Sequence, residues 1–177
     1  MIGSAARPLL FLDVDGPLIP FGGTPRQYPT YRTGTEGAHP LLGRINPEHG
    51  PRLAALPCDL VWATTWMDDA NEIIAPRIGL PRSAVVSWPE PADTDEHDER
   101  IGLHWKTRAL VDWAAGRPFA WVDDEITDVD RAWVSAHHPG HALLHRVDPR
   151  LGLTDNDFAD LEDWLHWTRD APPQGPA

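Results

Sequence analysis

The sequence predicts an α/β fold: a parallel sheet with helices on both faces, three layers deep and Rossmann-like. Three observations predict it. Short apolar runs alternate with segments of helical spacing. The runs are continuous rather than alternating, which marks strands buried on both faces. Three of them also end in acids or hydroxyls: Asp13 and Asp15, Thr64 and Thr65, Asp123 and Asp124. In open sheets of this kind ligands bind beyond the carboxyl ends of the strands. A chain of 177 residues supports one such domain. The expected division is a single domain over residues 1–170, with a small flap or cap inserted at 17–45 and a disordered tail at 171–177.

The elements follow in order. Leu9 to Val14 is the first buried strand, ended by the turn Asp15-Gly16-Pro17. Residues 17–45 are rich in Pro and Gly and read as irregular, with Thr30 to Thr33 as a candidate hairpin arm. A connection this long without its own elements usually covers a site. Asn46-Pro47 supplies an N-cap and a first-turn proline for a short helix through Leu56. Leu60 to Ala63 is the second strand, and a helix is expected from Met67 to Arg77 with Ile73 and Ile74 inward. Ala84 to Trp88 is a third strand. Glu90 to Glu99 carries six acids beside two prolines and reads as a solvated loop. His104 to Ala115 has helical spacing through Trp105, Ala109, Leu110 and Trp113, with Gly116 as its stop. Phe119 to Val122, a helix over Asp128–His137 and a strand over His141–His145 complete the alternation. Thr154 with Asp157 reads as a capping box opening a last helix, whose stripe is Phe158, Leu161, Trp164 and Leu165.

Composition narrows the function classes. Fifteen Lys and Arg against 27 Asp and Glu leave a formal charge of −12. Such a surface repels nucleic-acid backbones and anionic membranes at long range, so nucleic acid is expected only at termini. A small phosphorylated ligand remains compatible, because a divalent cation inverts the local field. The single Cys58 precludes an internal disulfide and reads as a buried thiol. No run has the length of a membrane span, and the N-terminal apolar block is too short for a signal peptide, so a cytoplasmic setting is expected. His137, His138, His141 and His145 do not share one helical face, which argues against zinc, and Trp62, Trp113, Trp121 and Trp164 read as core. Gly22-Gly23 is no P-loop, since no Gly-Lys-Ser/Thr follows.

Several carboxylates on one rim repel unless a cation binds or protons are taken up. Oxygen ligands alone select a hard metal, of which Mg²⁺ is the abundant choice. One acid can attack an electrophile while another moves a proton. Thr64 offers a hydroxyl, with Thr65 a second candidate, and Lys106 an ammonium.

The residues Phe11-Leu12-Asp13-Val14-Asp15-Gly16, Val61-Trp62-Ala63-Thr64, Lys106 in His104-Trp105-Lys106-Thr107, and Asp123-Asp124 with Asp128 come in order, each at the end of its element. Over residues 8–146 the chain resembles the haloacid dehalogenase (HAD) superfamily, specifically its aspartate-nucleophile phosphatases. The resemblance implies a Mg²⁺-dependent phosphomonoester hydrolase acting on nucleotides or other small phosphorylated substrates. It implies Asp13 as nucleophile, Asp15 as proton donor and acceptor, and Thr64 and Lys106 as orienting groups. It gives Asp124 to Mg²⁺ together with Asp13 and the Asp15 carbonyl, with Asp123 and Asp128 further out. Gly16, Thr65, Trp66 and Arg32 are the expected substrate contacts. Pro17 stands where many relatives have Thr or Val and removes a backbone donor. Two rivals are a non-catalytic binding protein of the same fold and a phosphotransferase. Carbon–halogen hydrolysis needs neither Asp15 nor Asp124.

Overall fold

A computed structural model describes residues 6–31, 39–90 and 93–171. Five strands, β1 (Leu9–Leu12), β2 (Asp59–Trp62), β3 (Ala84–Val85), β4 (Phe119–Asp123) and β5 (Ala142–Arg146), form one sheet in the order β3-β2-β1-β4-β5. Every pairing is parallel. The chain steps outward from β1 to β3, then crosses back to lay β4 on the other side of β1. The direction of winding therefore reverses between β1 and β4, where such sheets open a crevice.

Side chains two apart on a strand share a face, and the core divides accordingly. Leu10, Leu12, Trp62, Ala120 and Val122 meet α1 (His49–Ala55), α2 (Ala75–Ile78) and α6 (Asp155–Asp170) through Leu53, Ile78, Phe158, Leu161 and Leu165. Leu9, Phe11, Val61, Phe119 and Trp121 meet α4 (Thr107–Ala114) and α5 (Asp128–His137) through Leu110, Val111, Ala114 and Val134. The α/β sandwich expected from the sequence is the fold observed. Cys58 is buried, and burial pushes its thiol up to about 12.

Several elements differ from the sequence reading. Residues 93–101 form a helix, α3 (Asp93–Ile101), rather than a loop. It lacks an apolar stripe, and Asp98 anchors it through a two-pronged bond from Arg108 at 2.5 and 2.7 Å. The segment expected as one helix from 67 to 77 is a π turn, Ala70–Ile74, followed by α2. Pro76 lacks the N–H that would continue the ladder. Helix α4 buries Thr107, Leu110, Val111 and Ala114, leaving Trp105 and Trp113 50% and 36% exposed. β3 has two residues where five were expected.

The described parts of 17–45 pack downward. Leu18, Ile19, Leu42 and Ile45 are in the core, and Arg44 lies over the Tyr28 ring and donates to the Pro20 carbonyl. Arg32 and Thr33 of the candidate arm at 30–33 and residues 172–177 of the tail lie outside the described residues. Among the described residues, no helix is long and apolar enough to cross a membrane.

Candidate active site

Register builds the centre of the site. Leu12 pairs with Val122, so the next residues along, Asp13 and Asp123, leave the sheet side by side. Both continue the face of Phe11 and Trp121, which is the α4 face. Lys106, the residue before α4, meets them there. Its Nζ donates to Asp13 Oδ2 and to Asp123 Oδ2, both at 2.8 Å. All three are buried, Asp123 completely.

Burial by itself pulls the Lys106 ammonium down, but Asp13 and Asp123 more than offset it and hold it above its usual value. Burial pushes Asp13 up from 3.8 to about 7. The Asp123 charge adds to that rise, while Lys106 opposes it. Asp124, the next acid along, is pushed up to about 6, first by burial and then by Asp123. Ligand oxygens of Asp13, Asp123 and Asp124 lie within 4.8 Å of one another. Gly16 makes this crowding possible. Its φ is +90°, and a Cβ there would stand 2.6 Å from Asp124 Oδ1. Glycine alone satisfies both demands.

The model of the HAD domain in Swiss Army Knife RNA repair proteins matches residues 9–158. The chain belongs to this HAD family. No curated protein and no solved structure matches it. At the level of the superfamily the HAD domain is a hydrolase- or phosphatase-type enzyme.

The other expected site residues of this HAD domain separate into groups. Asp15 is half-buried and its Oδ2 accepts from Trp66 Nε1 at 3.0 Å. Trp66 thus holds Asp15, a contact that residue spacing does not reveal. Thr64, two residues past the end of β2, is fully buried. Its Oγ1 accepts the Trp66 N–H at 3.2 Å and its carbonyl accepts Trp88 Nε1. Thr65 is exposed. The Gly16 amide donates to the Ile19 carbonyl at 3.0 Å, so the turn after Asp15 is closed on itself.

Asp128 is not part of the acidic cluster. Its side chain is fully exposed and pairs with Arg131 one turn along α5. The acid that turns inward is Asp130, which the sequence reading missed. Asp130 caps α5 with Thr127 and also accepts from the His104 N–H and Thr107 Oγ1 at 2.8 and 2.7 Å. It ties the start of α5 to the turn that carries Lys106. The signal was available: Thr127 and Asp130 repeat the spacing of Thr154 and Asp157, and both pairs form capping boxes. Two further contacts lay beyond pattern reading. Trp121 Nε1 donates to Asp123 Oδ2 at 3.2 Å, and His104 Nδ1 accepts the Lys106 N–H at 3.1 Å.

Proposed function

We propose that this domain hydrolyses phosphomonoesters through an aspartyl-phosphate on Asp13. The observation that carries the reading is the buried Asp13–Lys106–Asp123 cluster at the β1/β4 crevice, with Asp15 held two residues away by Trp66. Asp13 Oδ would attack phosphorus while the bond to the leaving oxygen breaks, and Asp15 would give that oxygen its proton. Water would then attack the same phosphorus, Asp15 would take its proton, and the Asp13–phosphorus bond would break to release phosphate. Lys106 stays charged throughout. It keeps the Asp13 oxygens aimed and lends positive charge to the reacting group in a site shielded from water.

The donor set of Asp13, Asp123 and Asp124 fits a hard divalent cation such as Mg²⁺. The oxygens converge, and the two acids pushed upward by burial and by the Asp123 charge are groups that a cation returns to the ionised form. When bound, the ion would supply charge neutralisation for the incoming phosphate dianion.

The family description, HAD domain in Swiss Army Knife RNA repair proteins, supports a nucleotide or a phosphorylated RNA terminus as substrate. A formal charge of −12 disfavours grip on a long backbone and agrees with an end-directed or mononucleotide substrate.

The test is phosphate release from phenyl phosphate. It should require Mg²⁺ and fall at least a thousandfold in Asp13→Asn, with folding unchanged by circular dichroism. Turnover that survives both EDTA and Asp13→Asn would overturn the mechanism.

A further inference from the structure

We propose that the cleft walled by Phe21 and Arg146, beside the reaction centre, is a subsite for a second phosphate of the substrate, carried on a nucleoside that lies against Phe21. The proposal rests on the phosphomonoesterase reading and names the substrate class for that site.

The cleft has a volume of about 610 Å³ and runs between Phe21-Gly22 and the segment from Arg146 to Arg150. It adjoins the centre through the sheet. Arg146 ends β5 in register with Asp123, and its Nε donates to the Asp124 carbonyl at 2.8 Å. β5 lies two strands from β1, about 10 Å at sheet spacing. The two walls are fastened to each other: Phe21 N–H donates to the Pro149 carbonyl at 2.7 Å, and Leu153 N–H to the Pro17 carbonyl at 2.9 Å.

The proposal rests on the charge of the cleft and on what lines it. Eight arginines in the described residues hold a carboxylate, namely those in the ion pairs of positions 7, 52, 82, 108, 117, 131, 150 and 169. Arg146 is exposed and, like Arg26 and Arg100, forms no such pair among the described residues, but of these three it is the one that lines this cleft. One edge of its guanidinium is fixed by the Asp124 carbonyl, which leaves the Nη edge to accept an anion. A fork held in this way binds a phosphate with little further ordering. Asp148, the acid in the lining, is gripped by Arg150 through both oxygens, at 3.2 and 3.1 Å, and feels Arg146 only through charge at longer range. Opposite stands Phe21, 40% exposed, a flat apolar surface beside a cation. A base or ribose would cover it while its phosphate reaches Arg146.

The experiment uses titration calorimetry on the full chain carrying Asp13→Asn, with adenosine 3′,5′-bisphosphate, adenosine 5′-monophosphate and fructose 1,6-bisphosphate as probes. The nucleoside bisphosphate should bind at least tenfold tighter than the monophosphate. Adding Arg146→Gln should bring that ratio within twofold of one, and Arg146→Lys, which keeps charge without the fork, should reduce it at least threefold. Phe21→Ala should weaken the nucleoside bisphosphate more than the sugar bisphosphate. Equal affinities for mono- and bisphosphate before any change at Arg146 would overturn the subsite. So would an Arg146→Gln variant that weakens both probes alike, because Arg146 would then only brace Asp124. An Arg146-dependent preference together with no phosphate release from phenyl phosphate by the unsubstituted chain with Mg²⁺ would leave the subsite standing and remove the hydrolase reading.

Discussion

Asp130 accepts four hydrogen bonds from a completely buried position: from the N–H and hydroxyl of Thr127, the N–H of His104 and the hydroxyl of Thr107. Asp128, two residues earlier, is in solvent. Both acids stand in the first turn of α5, and both suit the positive end of a helix dipole. Local spacing does not choose between them. The rotation of α5 against α4 chooses, because only Asp130 faces the turn that carries Lys106. Removing it strands several donors in the interior, so Asp130→Ala should lower unfolding free energy by about 3 kcal/mol. Urea denaturation checks that, and a loss below about 1 kcal/mol would show the network to be incidental. The rate of the proposed phosphate release should fall with it and partly recover in Asp130→Asn, which retains one acceptor oxygen. Asp13, Lys106, Asp123 and Asp124 were legible beforehand for a simple reason: each sits where an apolar run or a helix begins or ends, and such ends meet at the carboxyl edge.

At the scale of elements, α1 and α2 show how closely the outer layer is fitted. A Cβ on Gly50 would lie 1.6 Å from the Ile78 carbonyl oxygen, which is backbone and has no means of moving aside alone. Gly50→Ala should therefore push α1 off α2 and cost about 2–3 kcal/mol, seen as a lowered thermal midpoint. A midpoint within a degree of the original would contradict the contact. Nothing in the sequence around Asn46-Pro47 announces this role. The helix itself was expected there, but its helical hydrogen bonding begins at His49, and the Asn46 side chain instead accepts the Glu48 N–H at 3.0 Å. Helix α3 was missed for the opposite reason. It is polar all round, so hydropathy spacing has no signal to give, and its position depends on Arg108 reaching Asp98 from α4.

For the molecule as a whole, pH acts through groups of opposite sign. His138 is buried, its Nε2 faces the Arg117 carbonyl at 3.0 Å, and its Nδ1 has no hydrogen-bond partner among the described residues. Burial holds its imidazole below 6.5 in the folded chain. As pH falls through 6.5 the unfolded chain takes up the proton first. The stability tied to His138 is therefore complete above 6.5 and is lost as pH falls from there toward the lower folded value. Asp13 and Asp124 run the other way. Their folded values of about 7 and about 6 lie above 3.8, so they cost stability as pH rises from 3.8 through those values. The difference between the original chain and His138→Gln isolates the histidine. Stability from urea midpoints should fall more steeply in the original than in the variant between pH 7 and pH 5, and parallel curves would refute a neutral buried imidazole. The sequence by itself determined the parallel α/β class, the order of the runs and the acids at their ends, because each of those is written as burial or chemistry within one element. Tertiary structure alone decided that Asp130 and not Asp128 turns inward, that Trp66 grips Asp15 and that Arg146, among the described residues, is left without a carboxylate pair. Those outcomes depend on which face of one element meets another, and a linear pattern carries no record of register or rotation between elements.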